Sequence, residues 1–141
     1  MNESVISASA AVYSAGQTKT KNFFYWTTIV ILEFVLLSGG IADIFHVQSA
    51  VDGMIHLGYP VYFVTLLGIW KVLAGIALLV PGFPRLKEWA YAGVFFDFTG
   101  ATVSHIATGN SAAHIITTLL FAGIAIASWA LRPASRKLYS R

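Results

Sequence analysis

Hydrophobic and polar positions divide the chain into long apolar segments separated by short polar stretches. The apolar segments run over roughly 23–45, 61–80, 86–107 and 112–131. Each has about the 20 residues that a helix needs to cross a bilayer, and none has the short alternating pattern of a membrane β-barrel strand. Glycine and proline lie at or near the segment ends, as in Pro81–Pro84. The pattern predicts an all-α polytopic membrane protein with a bundle of four transmembrane helices.

The polar stretches predict the remaining organisation. Residues 1–22 are rich in Ser, Ala, Asn and Thr, which indicates a flexible N-terminal tail or at most a surface helix. They lack the basic n-region of a secretory signal, so the transmembrane domain is expected over 23–131, followed by a basic C-terminal tail over 132–141. The stretch 46–60 is too short and polar to span a bilayer. It predicts a short interfacial helix between the first two transmembrane helices.

Charge supports the membrane assignment and adds an orientation. Only 11% of the residues are charged, whereas soluble domains carry about 25%. Every lysine and arginine except Lys71 lies before the first segment, around the 81–87 turn or after the last segment. The positive-inside rule then places both termini in the cytoplasm, and a bacterial inner membrane is the expected location. The net charge of +3 is small and scattered, so nucleic acid is not an expected partner.

Three ionisable residues lie deep in the apolar segments. Glu33, Lys71 and Asp97 each lie about ten residues into a segment, near the bilayer midplane. A lone charge there costs about 3 kcal/mol or more, and the lysine stem is too short to reach either interface. Gly68 and Gly75 share the lysine's helix face, and small residues mark packed faces. The three side chains are therefore predicted to meet inside the bundle, with Lys71 pairing with Glu33 or Asp97.

This midplane triad has two interpretations of equal weight. It is either an ion-pair network that fixes helix register, or a site that relays protons or binds a polar head such as a quinone carbonyl. Trp70 lies beside the lysine near the midplane, where it would line a pocket for a flat ring.

A second polar group is expected at the other ends of the same segments. Asp43 and His46 close the first segment, His56 lies in the following loop, and His105 and His114 flank the last loop. All four histidines thus fall at one end of the bundle and, with Asp43, are predicted to form an outer polar layer around a shallow pocket. A bound metal or haem is one interpretation of these histidines. Their spacing matches no metal signature, so ordinary hydrogen bonds and no metal site are expected. No catalytic motif is present, and catalytic residues are not assigned.

Two stretches of the chain resemble a known family. "HLGYPVYF" (56–63) and "LGIWKVLAGIALLVPGFPRLKEWAYAGVFFDFTGATVSH" (67–105) closely resemble the DoxX-like family of small four-helix membrane proteins. The resemblance implies links to quinol oxidase, thiosulfate:quinone oxidoreductase and thiol-stress systems. Distant animal relatives are similar to receptor-assembly chaperones. It implies no catalytic residues, and the absence of cysteine excludes thiol chemistry by the chain itself.

The residues and the resemblance together lead to three hypotheses. The first is a quinone- or lipid-associated accessory component of a membrane redox system, with quinone as the expected cofactor and a polar intramembrane pocket. Its partners would be the lipid bilayer, a membrane redox protein or further copies of the chain. The alternative is a non-catalytic chaperone, assembly or structural subunit for another membrane protein. A small oligomeric transporter is the third, and enzymatic activity is left open.

Overall fold

The computed structural model describes residues 3–138, and all regular structure within that range is helical. The helices are α1 (Glu3–Ile44), α2 (Gln48–His56), α3 (Val61–Leu79), α4 (Pro84–Ala107) and α5 (Ala112–Leu131), followed by a 3₁₀ turn at Ala134–Arg136. The predicted all-α class is confirmed. Three of the helices, α1, α3 and α5, are long and apolar enough to cross a membrane. The fourth long helix, α4, has 24 residues but a more polar sequence.

The four long helices form a ring in which α1 packs on α3, α3 on α4, α4 on α5, and α5 on α1. One end of this bundle, the basic end, carries Lys87, Arg132 and Arg136. The opposite end, the histidine end, carries His46, His56, His105 and His114. The short helix α2 lies at the histidine end against α1 and α3, where the sequence predicted a short helix.

Apolar side chains lie both inside and outside this bundle. The interior holds one core of buried side chains, which includes Tyr25, Ile29, Leu32, Leu36, Leu78, Tyr91, Val94, Phe98, Ala122 and Ala125. The outer surface also carries large apolar side chains, such as Phe34, Trp89 and Phe96, which are 73%, 76% and 69% exposed. So much exposed apolar surface marks a face that contacts lipid or another protein.

The first helix is much longer than its apolar segment. It has 42 residues, which corresponds to about 63 Å at 1.5 Å per residue. The sequence predicted a flexible tail or at most a surface helix for residues 1–22. The structure instead makes residues 3–22 the first half of one continuous helix, and residues 3–21 are all exposed.

Glycines set the closest contact in the bundle, between α1 and α3. A Cβ atom added to Gly68 would lie 2.8 Å from the Gly40 carbonyl oxygen and 2.9 Å from the Ile44 nitrogen. Toward the basic end, a Cβ on Gly75 would lie 2.8 Å from Oε2 of Glu33. The two helices are thus antiparallel and touch through their backbones, as small residues permit in membrane bundles.

Candidate functional site

Lys71 forms its ion pair with neither Glu33 nor Asp97, the two partners that the sequence predicts for it. Its Nζ donates to Oδ2 of Asp43 at 2.9 Å, and the two side chains are 23% and 10% exposed. The carboxylate partner of Lys71 is therefore Asp43, which the sequence predicts in the outer polar layer.

The direction of the side chains explains this exchange of partners. Every Cα–Cβ bond in a helix tilts toward the helix N-terminus. Lys71 on α3 therefore extends toward the histidine end, while Asp43 on the antiparallel α1 extends down to meet it. Glu33 on α1 tilts the opposite way from Lys71, toward the basic end. The Cα atoms of the three predicted residues are expected at similar depths, but their side chains extend in different directions from those depths.

Glu33 is buried without a hydrogen-bond partner. It is 7% exposed, and neither carboxylate oxygen is hydrogen-bonded to any of the described residues. It lies against Gly75 of α3, one helical turn from Lys71 toward the basic end. The predicted triad is thus divided, with Glu33 separated from the other two residues.

Asp97 and Lys71 do lie together, in a groove between α3 and α4. Two cavities of about 290 and 560 Å³ follow this boundary. The residues that line both of them are Leu67, Trp70, Lys71, Gly93 and Asp97. We call the continuous depression the α3–α4 groove. The remaining lining is almost entirely apolar, and Trp70 is 54% exposed.

The polar groups of the α3–α4 groove have unused capacity. Asp97 has no hydrogen bond to a side chain of residues 3–138, and it lines the groove beside Lys71. The Lys71 ammonium has three donor hydrogens, of which one is used on Asp43. The groove therefore offers an ammonium donor, a carboxyl group and a flat indole within apolar walls.

The predicted outer polar layer does not form one cluster. Asp43 pairs with Lys71, and the histidines separate into two groups. Asn110 joins His56 and His105, through contacts of 2.8 Å to His56 Nε2 and 2.8 Å to His105 Nδ1. The His105 and His114 rings lie 5.2 Å apart between centroids. His46 lies apart and contacts the Thr65 hydroxyl at 2.7 Å. Within residues 3–138, no three His, Asp or Glu side chains are grouped so that they could hold a metal ion.

The basic end contains buried cations rather than solvated ones. Lys87 is 1% exposed, and its Nζ donates to the carbonyls of Ala77 at 2.8 Å, Leu78 at 3.0 Å and Val80. Arg136 Nη1 also donates to the Leu78 carbonyl, at 2.9 Å. The last carbonyls of a helix have no partner within it and carry partial negative charge. Both cations therefore cap the C-terminus of α3.

A second cluster at the basic end joins α4 to α5. Glu88 accepts from Arg132 Nη2 at 2.8 Å and from Trp129 Nε1 at 2.7 Å. The Arg132 guanidinium lies over the Tyr91 ring at 5.1 Å, and Tyr91 contacts the Ser128 hydroxyl at 2.8 Å. This cluster fixes the two helices in register where they enter the basic end.

Comparison with known families agrees with this architecture. The DoxX-like family model matches residues 27–128, which is well over half of the chain. The chain belongs to the DoxX-like family. Neither a search of curated proteins nor a search of solved structures finds a match. Family membership and the apolar helices together make this DoxX-like protein an integral membrane protein.

The charge pattern does not predict that the basic end of this DoxX-like protein is a structured cluster. It indicates only the orientation of the protein in the membrane, yet Lys87 and Arg132 are 1% and 5% exposed. A signal was available for Lys87. It lies in the first turn of α4, immediately after a tight turn closed by Phe83 in the left-handed conformation, with φ of 51°. A side chain at this position faces the last carbonyls of α3, which have no hydrogen-bond partner within their own helix.

Proposed function

We propose that this protein crosses a bacterial inner membrane four times, with both termini in the cytoplasm. The fourth crossing would be α4, which packs between α3 and α5 and has a comparable length. Its charged residues are Arg85, Lys87 and Glu88 at the basic end and Asp97 in the α3–α4 groove, so α4 need not expose a charge to lipid. The basic end would face the cytoplasm under the positive-inside rule.

Single-cysteine labelling tests this topology, because the chain has no cysteine of its own. A membrane-impermeant maleimide should label Ala113→Cys in intact cells and Thr20→Cys only after lysis. Both positions are exposed. The opposite pattern, or labelling of both sites in intact cells, would reject the proposal.

We further propose that the protein is an accessory component of a membrane redox system that holds a quinone in the α3–α4 groove. The observation that carries this is the placement of Lys71, Asp97 and Trp70 together in an apolar groove. A quinone has an apolar tail, a flat ring and two carbonyl acceptors. The Lys71 ammonium can donate to a carbonyl, the Trp70 indole can stack on the ring, and the apolar walls can cover the tail.

Asp97 would supply the second polar contact. A carboxyl group donates a hydrogen bond when protonated and accepts one when ionised, so the same side chain can contact a quinone carbonyl or a quinol hydroxyl. Asp43 would hold the lysine in place by its ion pair, which leaves Asp97 for the ligand.

Retention of quinone during purification tests the proposal. Protein extracted in mild detergent should carry quinone, measured by chromatography of an organic extract, and added short-chain quinone should raise the melting temperature. The double variant Asp43→Asn/Lys71→Met removes the ion pair without leaving either charge unpaired, and it should lose both effects. Phe34→Leu, on the exposed face of α1, is the matched control. Wild-type protein that neither retains nor responds to quinone would refute this function, and phospholipid in its place would indicate a lipid site.

The assembly-subunit alternative is favoured by one separate observation. Lys71 already has a carboxylate partner within the bundle, so the polar residues can serve stability alone. In that case a stoichiometric partner should co-purify, and the same double variant should retain it. Loss of quinone without loss of the partner would favour the redox role instead.

A further inference from the structure

A second groove runs along the boundary of α4 and α5 at the basic end. It encloses about 370 Å³ and is separate from the α3–α4 groove over most of its length. The part of this groove farther from the basic end is lined only by apolar residues, namely Ala92, Phe95, Phe96, Ala125 and Ile126. Its other end is formed by Glu88, Tyr91 and Trp129. An apolar channel with one polar end has the form of a site for a lipid chain and its headgroup.

The polar end offers both signs of charge. The Glu88 side chain is 32% exposed, whereas the Arg132 side chain beneath it is 3% exposed. The Arg132 guanidinium donates to Glu88 and lies over the Tyr91 and Trp129 rings, so it contacts all three residues that form this end. A headgroup entering here would meet an accessible carboxylate and, behind it, a guanidinium.

Arg132 also has an unused donor. Its Nη1 is buried and has no hydrogen-bond acceptor among residues 3–138. Buried polar groups are nearly always hydrogen-bonded, and an exception needs an explanation. A guanidinium forms its strongest hydrogen bonds with phosphate or carboxylate oxygens, so an anionic oxygen supplied from beyond residues 3–138 would complete it.

We propose that the α4–α5 groove binds a phospholipid whose headgroup carries a phosphate and a primary amine, as in phosphatidylethanolamine. An acyl chain occupies the apolar part. The half-exposed Trp129 ring moves aside, and a phosphate oxygen accepts from Arg132 Nη1. The ammonium donates to Glu88. A choline headgroup has no N–H to donate, and a phosphatidylglycerol headgroup has no cation for Glu88, so both bind less well.

Native mass spectrometry in mild detergent tests this assignment. The wild-type protein is mixed with equal amounts of phosphatidylethanolamine, phosphatidylcholine and phosphatidylglycerol that have the same acyl chains. The ethanolamine lipid should be retained about tenfold more than either of the others, the factor expected from one added charge-assisted hydrogen bond. Equal retention of the three lipids would overturn the proposal.

Two variants, Ala92→Trp and Glu88→Gln, test the apolar part of the groove and its polar end independently. Ala92→Trp fills the exposed apolar part and should remove the bound lipid. Val103→Trp, on a lipid-exposed position of the same helix, should leave it. Glu88→Gln should reduce the preference for ethanolamine over choline toward equality. If Ala92→Trp retains the lipid as well as Val103→Trp does, the site lies elsewhere, and this holds even if Glu88→Gln fails to fold.

Discussion

The closest approach of α1 and α3 gives a sharp prediction for Gly68→Ala. The added methyl group would lie 2.8 Å from the Gly40 carbonyl oxygen and 2.9 Å from the Ile44 nitrogen. Both are backbone atoms, so neither can rotate away. Ordinary contact begins at 3.4 Å, and the helices must therefore separate locally by the difference of about 0.6 Å. A gap of that size loses a quarter to a half of each affected dispersion contact.

The magnitude follows from two opposing effects. Inserting a methyl group into a packed interface typically costs about 1–3 kcal/mol, while alanine gains about 1 kcal/mol over glycine in helix propensity. Because the methyl group meets backbone atoms under 3.0 Å away, the cost should lie in the upper part of that range, at about 2–3 kcal/mol. Subtracting the helix-propensity gain leaves a net loss of about 1–2 kcal/mol in the free energy of unfolding. Gly75→Ala should cost less, because its methyl group meets the ends of the Glu33 and Leu37 side chains, which can rotate, rather than backbone atoms.

Unfolding in mixed micelles of mild detergent and increasing SDS measures this difference through intrinsic fluorescence of the four tryptophans. Gly123→Ala is the matched control, since a Cβ there meets nothing within 4 Å, and it should unfold no earlier than wild type. If Gly68→Ala is as stable as wild type, or if Gly123→Ala loses as much, the α1–α3 contact does not have the geometry described.

The same unfolding assay checks three further predictions. Lys71→Met should lower the free energy of unfolding by about 3–5 kcal/mol, because it leaves Asp43 as an uncompensated buried charge. Adding Asp43→Asn to this variant should recover most of the lost stability. If the single and double variants lose the same amount, the ion pair does not stabilise the protein. Lys87→Met should lower the free energy of unfolding by about 3 kcal/mol or more, because charge-assisted bonds to three carbonyls at the C-terminal end of α3 disappear. An unchanged stability would mean that water replaces these bonds. Glu33→Gln should be no less stable than wild type, since it replaces a buried carboxylate without a hydrogen-bond partner, whereas a clear loss would reveal an ion pair with Lys87.

Helix positions were largely predictable from the sequence because apolar length and turn residues determine them locally. The fourth apolar segment, 112–131, coincides with α5, and the 46–60 stretch contains α2. The start of α1 was not predictable in this way. Residues 3–22 have no apolar periodicity, so hydrophobic pattern gives no reason to extend the helix through them.

Side-chain partners were less predictable than helix positions. The sequence predicts that Lys71 pairs with Glu33 or Asp97, whereas its ammonium donates to Asp43. Pairing depends on the tilt of each side chain and on the antiparallel register, which the contact of Gly40 with Gly68 sets. The link between His56 and His105 likewise depends on Asn110, a loop residue whose bridging position appears only when the helix ends are brought together.

The continuity of α1 has a mechanical consequence. Its exposed residues 3–21 belong to the same rigid rod as Glu33, Gly40 and Asp43. These 19 residues correspond to a lever arm of about 28 Å. A partner that pulled the tip sideways by about 5 Å would tilt the rod by about 10°, as follows from that arm length. Because the rod meets α3 through backbone contact at Gly68, such a tilt would be transmitted directly to the helix that carries Lys71.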